Sequence, residues 1–202
     1  EQLRLLKGII LGANSETGRV ALKTLILNGR SRETMGIALQ LLARVPNQDA
    51  DLLNFLKVIL SRSEPHLLQG QMYYLRSQLA MKMAQQGSVE ERAGLMAIAE
   101  SDARTLLDQF PGLSQITNVY RLLAYAALER QPAQYRAAAD FLIQLRDQSR
   151  ESEDFVDVNR LIGDCYFLNR DFANAVDFYS AALNRGLGSP RGGELFLRLI
   201  SA

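Results

Sequence analysis

The sequence predicts an all-α chain of about eleven helices arranged as antiparallel hairpins. Three observations carry this. Apolar residues recur at helical spacing through almost every segment, and no stretch shows the sustained alternation of a strand. Glycines, prolines and short polar clusters punctuate the chain at helix-length intervals. The joins are short, which places successive helices antiparallel.

In order, the helices are expected at roughly 2–13, 16–28, 32–45, 49–62, 66–86, 89–109, 114–130, 133–149, 153–168, 172–185 and 190–201. The first two are separated around Asn14-Ser15. Asn28-Gly29 stops the second, because glycine tolerates the left-handed conformation that ends helices. The fifth starts beside Pro65-His66 and ends at the Gln85–Ser88 turn. Ser88 and Glu91 then have capping-box spacing. Phe110-Pro111-Gly112 breaks the chain after the sixth helix, and Pro132 marks the start of the eighth. Arg185-Gly186 is a further stop. Ser189-Pro190 pairs an N-cap with a proline in the first turn, where its missing N–H costs nothing. Glu90, Glu91, Glu151, Glu153 and Asp154 sit at helix starts, where carboxylates favour the positive end of the helix.

Taken in pairs, the second helices begin near Glu16, Asp49, Val89, Ala133 and Phe172. These intervals of roughly 33 to 44 residues fall in the range of helical-hairpin repeats. No break is long enough for a domain linker, so residues 1–202 are expected to form a single domain. The chain begins with Glu1 and ends inside an expected helix, which suggests an excised or processed piece of a longer protein.

Composition narrows the function classes. The 202 residues are 48% apolar and 22% charged, ordinary values for a folded protein. With 23 basic and 22 acidic side chains the net charge is +1, which argues against a dedicated nucleic-acid binder. No apolar run reaches the ~18 residues of a membrane span, and there is no signal peptide.

One stretch is more regular than the rest. Ile162-Gly163, Tyr166, Ala175, Tyr179 and Ala182 place small residues where two helices approach and aromatics beside them. Asn169-Arg170-Asp171 makes a polar turn, followed by Phe172, which is expected to pack back. Over Asn159–Ala182 the chain resembles the tetratricopeptide-repeat family. It departs from that pattern at Asn159, where Trp is preferred, and at Leu187, where Pro is preferred. Residues 115–148 resemble a weaker unit through Ala124, Tyr135, Ala138 and Leu142, and so does Leu6–Leu25. The resemblance implies a right-handed α-solenoid in which each repeat buries its core against its neighbours. It also implies that the first helix of each hairpin lines a concave surface that holds a protein or peptide. The corresponding residues are Asp157, Arg160, Asp164 and Phe167 in the regular repeat, and Asn118, Arg121, Tyr125 and Leu128 in the one before. Arg121 and Arg160 would then lie side by side and could clamp a carboxylate. Asp164, one turn from Arg160, could instead neutralise it within the helix.

Other chemistry has little support. Gly12, Ser15 and Gly18, after Ile9-Ile10-Leu11, resemble a dinucleotide turn, but the middle glycine is Ser15 and no parallel strands follow. His66 is the only histidine, so neither a histidine-based metal site nor a Ser-His-Asp triad is expected, and a capping or exposed role fits it better. The only cysteine, Cys165, reads as a small buried residue. Of the adjacent Tyr73 and Tyr74, only one can face inward. The expected function is a non-catalytic interaction scaffold with no cofactor and no metal. The alternatives are a docking or regulatory segment of a larger enzyme or regulator and, more distantly, a nucleotide-binding domain. Leu195, Phe196, Leu197, Leu199 and Ile200 leave the last helix needing cover, either from a further helix or by self-association.

Overall fold

The computed structural model describes residues 1–148, 154–186 and 192–201. All regular structure among them is helical. The helices are α1 (Gln2–Leu11), α2 (Glu16–Asn28), α3 (Arg32–Ala43), α4 (Asp49–Leu60), α5 (Gln69–Gln86), α6 (Val89–Gln109), α7 (Ile116–Leu128), α8 (Tyr135–Gln148), α9 (Phe155–Leu168), α10 (Phe172–Gly186) and α11 (Gly192–Ser201). The expected elements are all present, most of them shorter by a residue or two at an end. The expected helix start at Ser189-Pro190, the departure at Leu187, and Glu151 and Glu153 lie outside the described residues. Among the described residues no helix is long and apolar enough to cross a membrane.

The chain divides into two compact units, Glu1–Leu113 and Ser114–Ala202. In the first, α1 packs on α2, α2 on α3, α4 on α5 and α5 on α6. Its core is built from Leu22, Leu25, Met35, Leu39, Leu56 and Met72, among others. The longest pair, α5 and α6, is crossed by a buried ion pair. Arg76 holds Asp102 with two bonds, Nε to Oδ2 at 2.7 Å and Nη2 to Oδ1 at 2.6 Å. The Tyr73 ring lies 5.5 Å from that guanidinium. Both Tyr73 and Tyr74 end half-buried, because this face of α5 is only partly covered.

In the second unit α7, α8, α9, α10 and α11 pack consecutively. The core joins Ala124, Ala138, Leu142, Ile162, Tyr166 and Tyr179 with their neighbours. Gly163 is the point of closest approach. A Cβ there would stand 2.5 Å from Cε1 of Tyr179, so only glycine admits the ring. Tyr166 stacks on Phe178 with centroids 5.4 Å apart.

The turn after α9 is built from backbone bonds. The Asp171 N–H donates to Tyr166 O at 2.9 Å and the Arg170 N–H to Phe167 O at 2.9 Å, with Arg170 at φ 61°. This is a Schellman closure, with an arginine in the position that favours glycine. Asp171 then caps α10, accepting from the Asn174 N–H at 3.4 Å.

Three expected helix ends differ from the structure. Gly29 is extended at φ −74°, ψ 158°, so it does not stop α2 by left-handed geometry. It is small because α3 comes close, and a Cβ would meet Met35 Cγ at 2.7 Å and Leu25 O at 2.6 Å. Pro132 does not open α8; it follows a cis Gln131-Pro132 bond, and the helix starts at Tyr135. α5 starts at Gln69 rather than 66 because His66 makes its own turn, with its O accepting from the Gln69 N–H at 2.9 Å.

Candidate functional site

The expected site residues fall on α7 and α9 in the second unit. Phe155, Val158, Ile162 and Tyr166 repeat at helical spacing along the covered side of α9. Asp157, Arg160, Leu161 and Asp164 therefore lie on the side that is less covered.

Asp164 is the centre of the charge arrangement. Its Oδ2 accepts from Arg160 Nη1 at 2.9 Å. Its Oδ1 accepts from the Tyr179 hydroxyl at 2.8 Å and from Arg198 Nη1 of α11. Arg160 also approaches Asp157, Nε to Oδ1 at 4.0 Å, and Arg198 holds Glu194 with Nε to Oε1 at 3.1 Å. Burial, then the Asp164 carboxylate, raises the Tyr179 phenol well above its ordinary value, so its proton stays in that bond. Arg121 pairs with Asp154 at 2.9 Å. Asp154 precedes α9 without capping it by its side chain.

Two cavities open along this face. One, of about 440 Å³, is lined by Asp157, Arg160, Leu161 and Glu194. The other, of about 220 Å³, has Arg121, Asp154 and Asp157 at its edge and Leu142, Leu145, Val158 and Leu161 beneath. Asp157 and Leu161 line both. Through these shared residues they outline a groove that is mostly charged at the larger cavity and lined by apolar residues at the smaller one.

The structure brings the expected residues together unevenly. Arg121, Asp157 and Arg160 line the groove, with Asp164 directly behind Arg160. The two arginines do not form a clamp, since each lines a different cavity and each is held by its own carboxylate. Asn118 is exposed and Tyr125 half-buried on α7, and neither lines a cavity described above. Phe167 packs edge-on against Phe172, with centroids 5.5 Å apart, so it closes the turn. Leu128 packs against the core of the unit. Sequence reasoning missed Leu161, Glu194 and Arg198. Leu161 was detectable as the apolar residue one turn after Asp157. The Arg198 contact joins residues 34 apart and left no local signal.

The other candidates resolve into packing and capping. Ile9, Ile10 and Leu11 are the last turn of α1, so no strand precedes Gly12. The Gly18 N–H, which a phosphate would need, is taken by Ser15 Oγ at 3.0 Å. His66 Nε2 donates to Ile26 O at 2.9 Å, and Nδ1 accepts from the Leu68 N–H at 3.0 Å. Cys165 is buried, and burial pushes its thiol up to about 11, so it is a poor nucleophile near neutrality. Among the described residues no group of His, Cys, Asp and Glu could hold a metal ion. No protein-family model matches the chain, and no curated protein matches it.

Proposed function

We propose that this chain is a non-catalytic interaction scaffold, a tetratricopeptide-like α-solenoid that holds a polypeptide segment in the groove on α7, α9 and α11. One observation carries the reading. Two adjoining cavities share Asp157 and Leu161, so an extended segment lying across them contacts one continuous surface. The supports around them are fixed by paired charges rather than left loose. Arg160, Arg198 and Tyr179 all converge on Asp164, which holds the walls in one geometry before a ligand arrives. The regular repeat over Asn159–Ala182 supports the same reading, because its first helix supplies the shared wall.

The test is co-purification from cells producing the full chain. Leu161→Asp is expected to lose bound protein, while Val176→Asp on α10, equally exposed, is expected to retain it. Equal retention by both variants, with unchanged circular dichroism, would remove the groove from the function.

A further inference from the structure

We propose that the turn between α5 and α6 carries a binding site for a small organic cation, an aryl or alkyl body that ends in an ammonium group. The site lies in the first unit and stands or falls separately from the groove on α7, α9 and α11.

A cavity of about 520 Å³ opens there, within the ~300–1,000 Å³ range of small-molecule sites. Glu91, Gly94, Leu95 and Ile98 line it from one face of α6, being three and four residues apart. Met83 lines it from the last turn of α5. Met83, Leu95 and Ile98 are half-buried, so their apolar surface is still open to a ligand. Methionine, unbranched and flexible, adapts to the shape of what it covers.

Gly94 is a second, independent sign. It stands inside the 21-residue α6, where glycine is among the least favourable residues. Packing does not require it, because no atom lies within 4 Å of the place its Cβ would take. Its effect is to leave bare backbone on the cavity wall, which lets an apolar body approach closely.

Glu91 supplies the charge. Among the residues that line the cavity it alone is charged. Its N–H donates to Ser88 Oγ at 3.4 Å, but among the described residues its carboxylate accepts no hydrogen bond and joins no ion pair. The capping box expected with Ser88 is therefore made in one direction only. The carboxylate lies instead over Gly87, with Oε2 3.3 Å from the place a Cβ would take. Neighbouring cations do not neutralise it. Lys82 is held by Asp49 at 2.7 Å, and Arg92 does not line the cavity. A carboxylate without a counter-ion, at the lip of an apolar cavity, favours an ammonium over a neutral or anionic head. Gln86, also at the lip, offers an amide oxygen to a second N–H of the same group.

The test titrates the full chain with 4-phenylbutylammonium, with the neutral 4-phenylbutanol and with 5-phenylpentanoate. The Met83 methyl and the amides of residues 86–98 are followed by NMR. The ammonium is expected to bind with a Kd in the low-millimolar range or tighter, with shifts at these positions. The alcohol should bind about threefold more weakly, and the carboxylate more weakly still. Glu91→Gln should bring the ammonium down to the alcohol and leave the alcohol unchanged. Gly94→Leu should abolish binding of both by filling the cavity. Gly94→Ala should raise the thermal midpoint by about 3 °C, which shows that the fold tolerates a side chain there. Equal binding of ammonium and alcohol, or indifference to Glu91→Gln, overturns the charge assignment. A lowered midpoint in Gly94→Ala overturns the role given to the glycine. No shift at these residues with the ammonium at tens of millimolar overturns the site, and the Leu161→Asp co-purification result decides the groove independently.

Discussion

The helix pairs α5–α6 and α9–α10 solve one packing problem in two ways. In α9–α10 an aromatic ring fills the space over a glycine, and its hydroxyl finishes on a carboxylate at the solvent edge. In α5–α6 the helices are longer and are crossed by a buried charge pair among small residues such as Ala80, Ala99 and Ala103. Gly70 faces the Phe110 ring there too, but more loosely, with a Cβ 3.0 Å from Cδ1. The first solution fixes register by shape and leaves Asp164 available to organise a surface. The second fixes register by charge and keeps that charge inside.

The largest expected effect comes from breaking the buried pair. Asp102→Ala leaves the Arg76 guanidinium without its carboxylate and should destabilise by about 3–5 kcal/mol in urea unfolding. The double variant Arg76→Met/Asp102→Leu should recover most of that loss, because an apolar pair needs no charge compensation. Gly163→Ala should cost about 1–3 kcal/mol by overpacking against a ring that is itself buried. Gly70→Ala should cost less, because half-buried Phe110 can yield.

A pH effect of similar size follows from Cys165. Its folded value is raised from 9.0 to about 11, so the folded state favours the neutral thiol. That contribution is complete below pH 9 and is lost as pH rises towards 11. By pH 11 the wild type should have lost roughly 2 kcal/mol more than Cys165→Ala, read from unfolding midpoints across that range. Tyr179 also loses stability at high pH but is common to both proteins, so the difference isolates the thiol.

Asn159 is fully buried, and its Nδ2 donates to Phe155 O at 2.8 Å while Oδ1 has no hydrogen-bond partner among the described residues. Asn159→Leu should therefore raise stability by about 1 kcal/mol in thermal unfolding. Arg170→Gly should add about 0.5–1 kcal/mol, since Arg170 occupies the left-handed position of the Schellman turn.

Helices were readable because period and punctuation are local. Gly163 and Tyr179 announced their contact through spacing, and the Asn169–Asp171 turn through composition. Gly29 showed the limit. Its smallness was legible, but the reason, Met35 arriving from the next helix, was not. Arg121, Asp157 and Arg160 were identifiable from their place in the repeat. The pairing of these charges was not, because it depends on Asp154, just before α9, reaching Arg121 and on Arg198 arriving from α11. Arg76 and Asp102, 26 residues apart, left no periodic mark at all.

The most direct test of the groove replaces Leu161 and, separately, Val176 with a photo-crosslinking amino acid, followed by irradiation in cells. The account predicts a discrete adduct at position 161, diminished by Asp157→Asn, and none at 176. Adducts of equal yield at both positions, or at 176 alone, would contradict it.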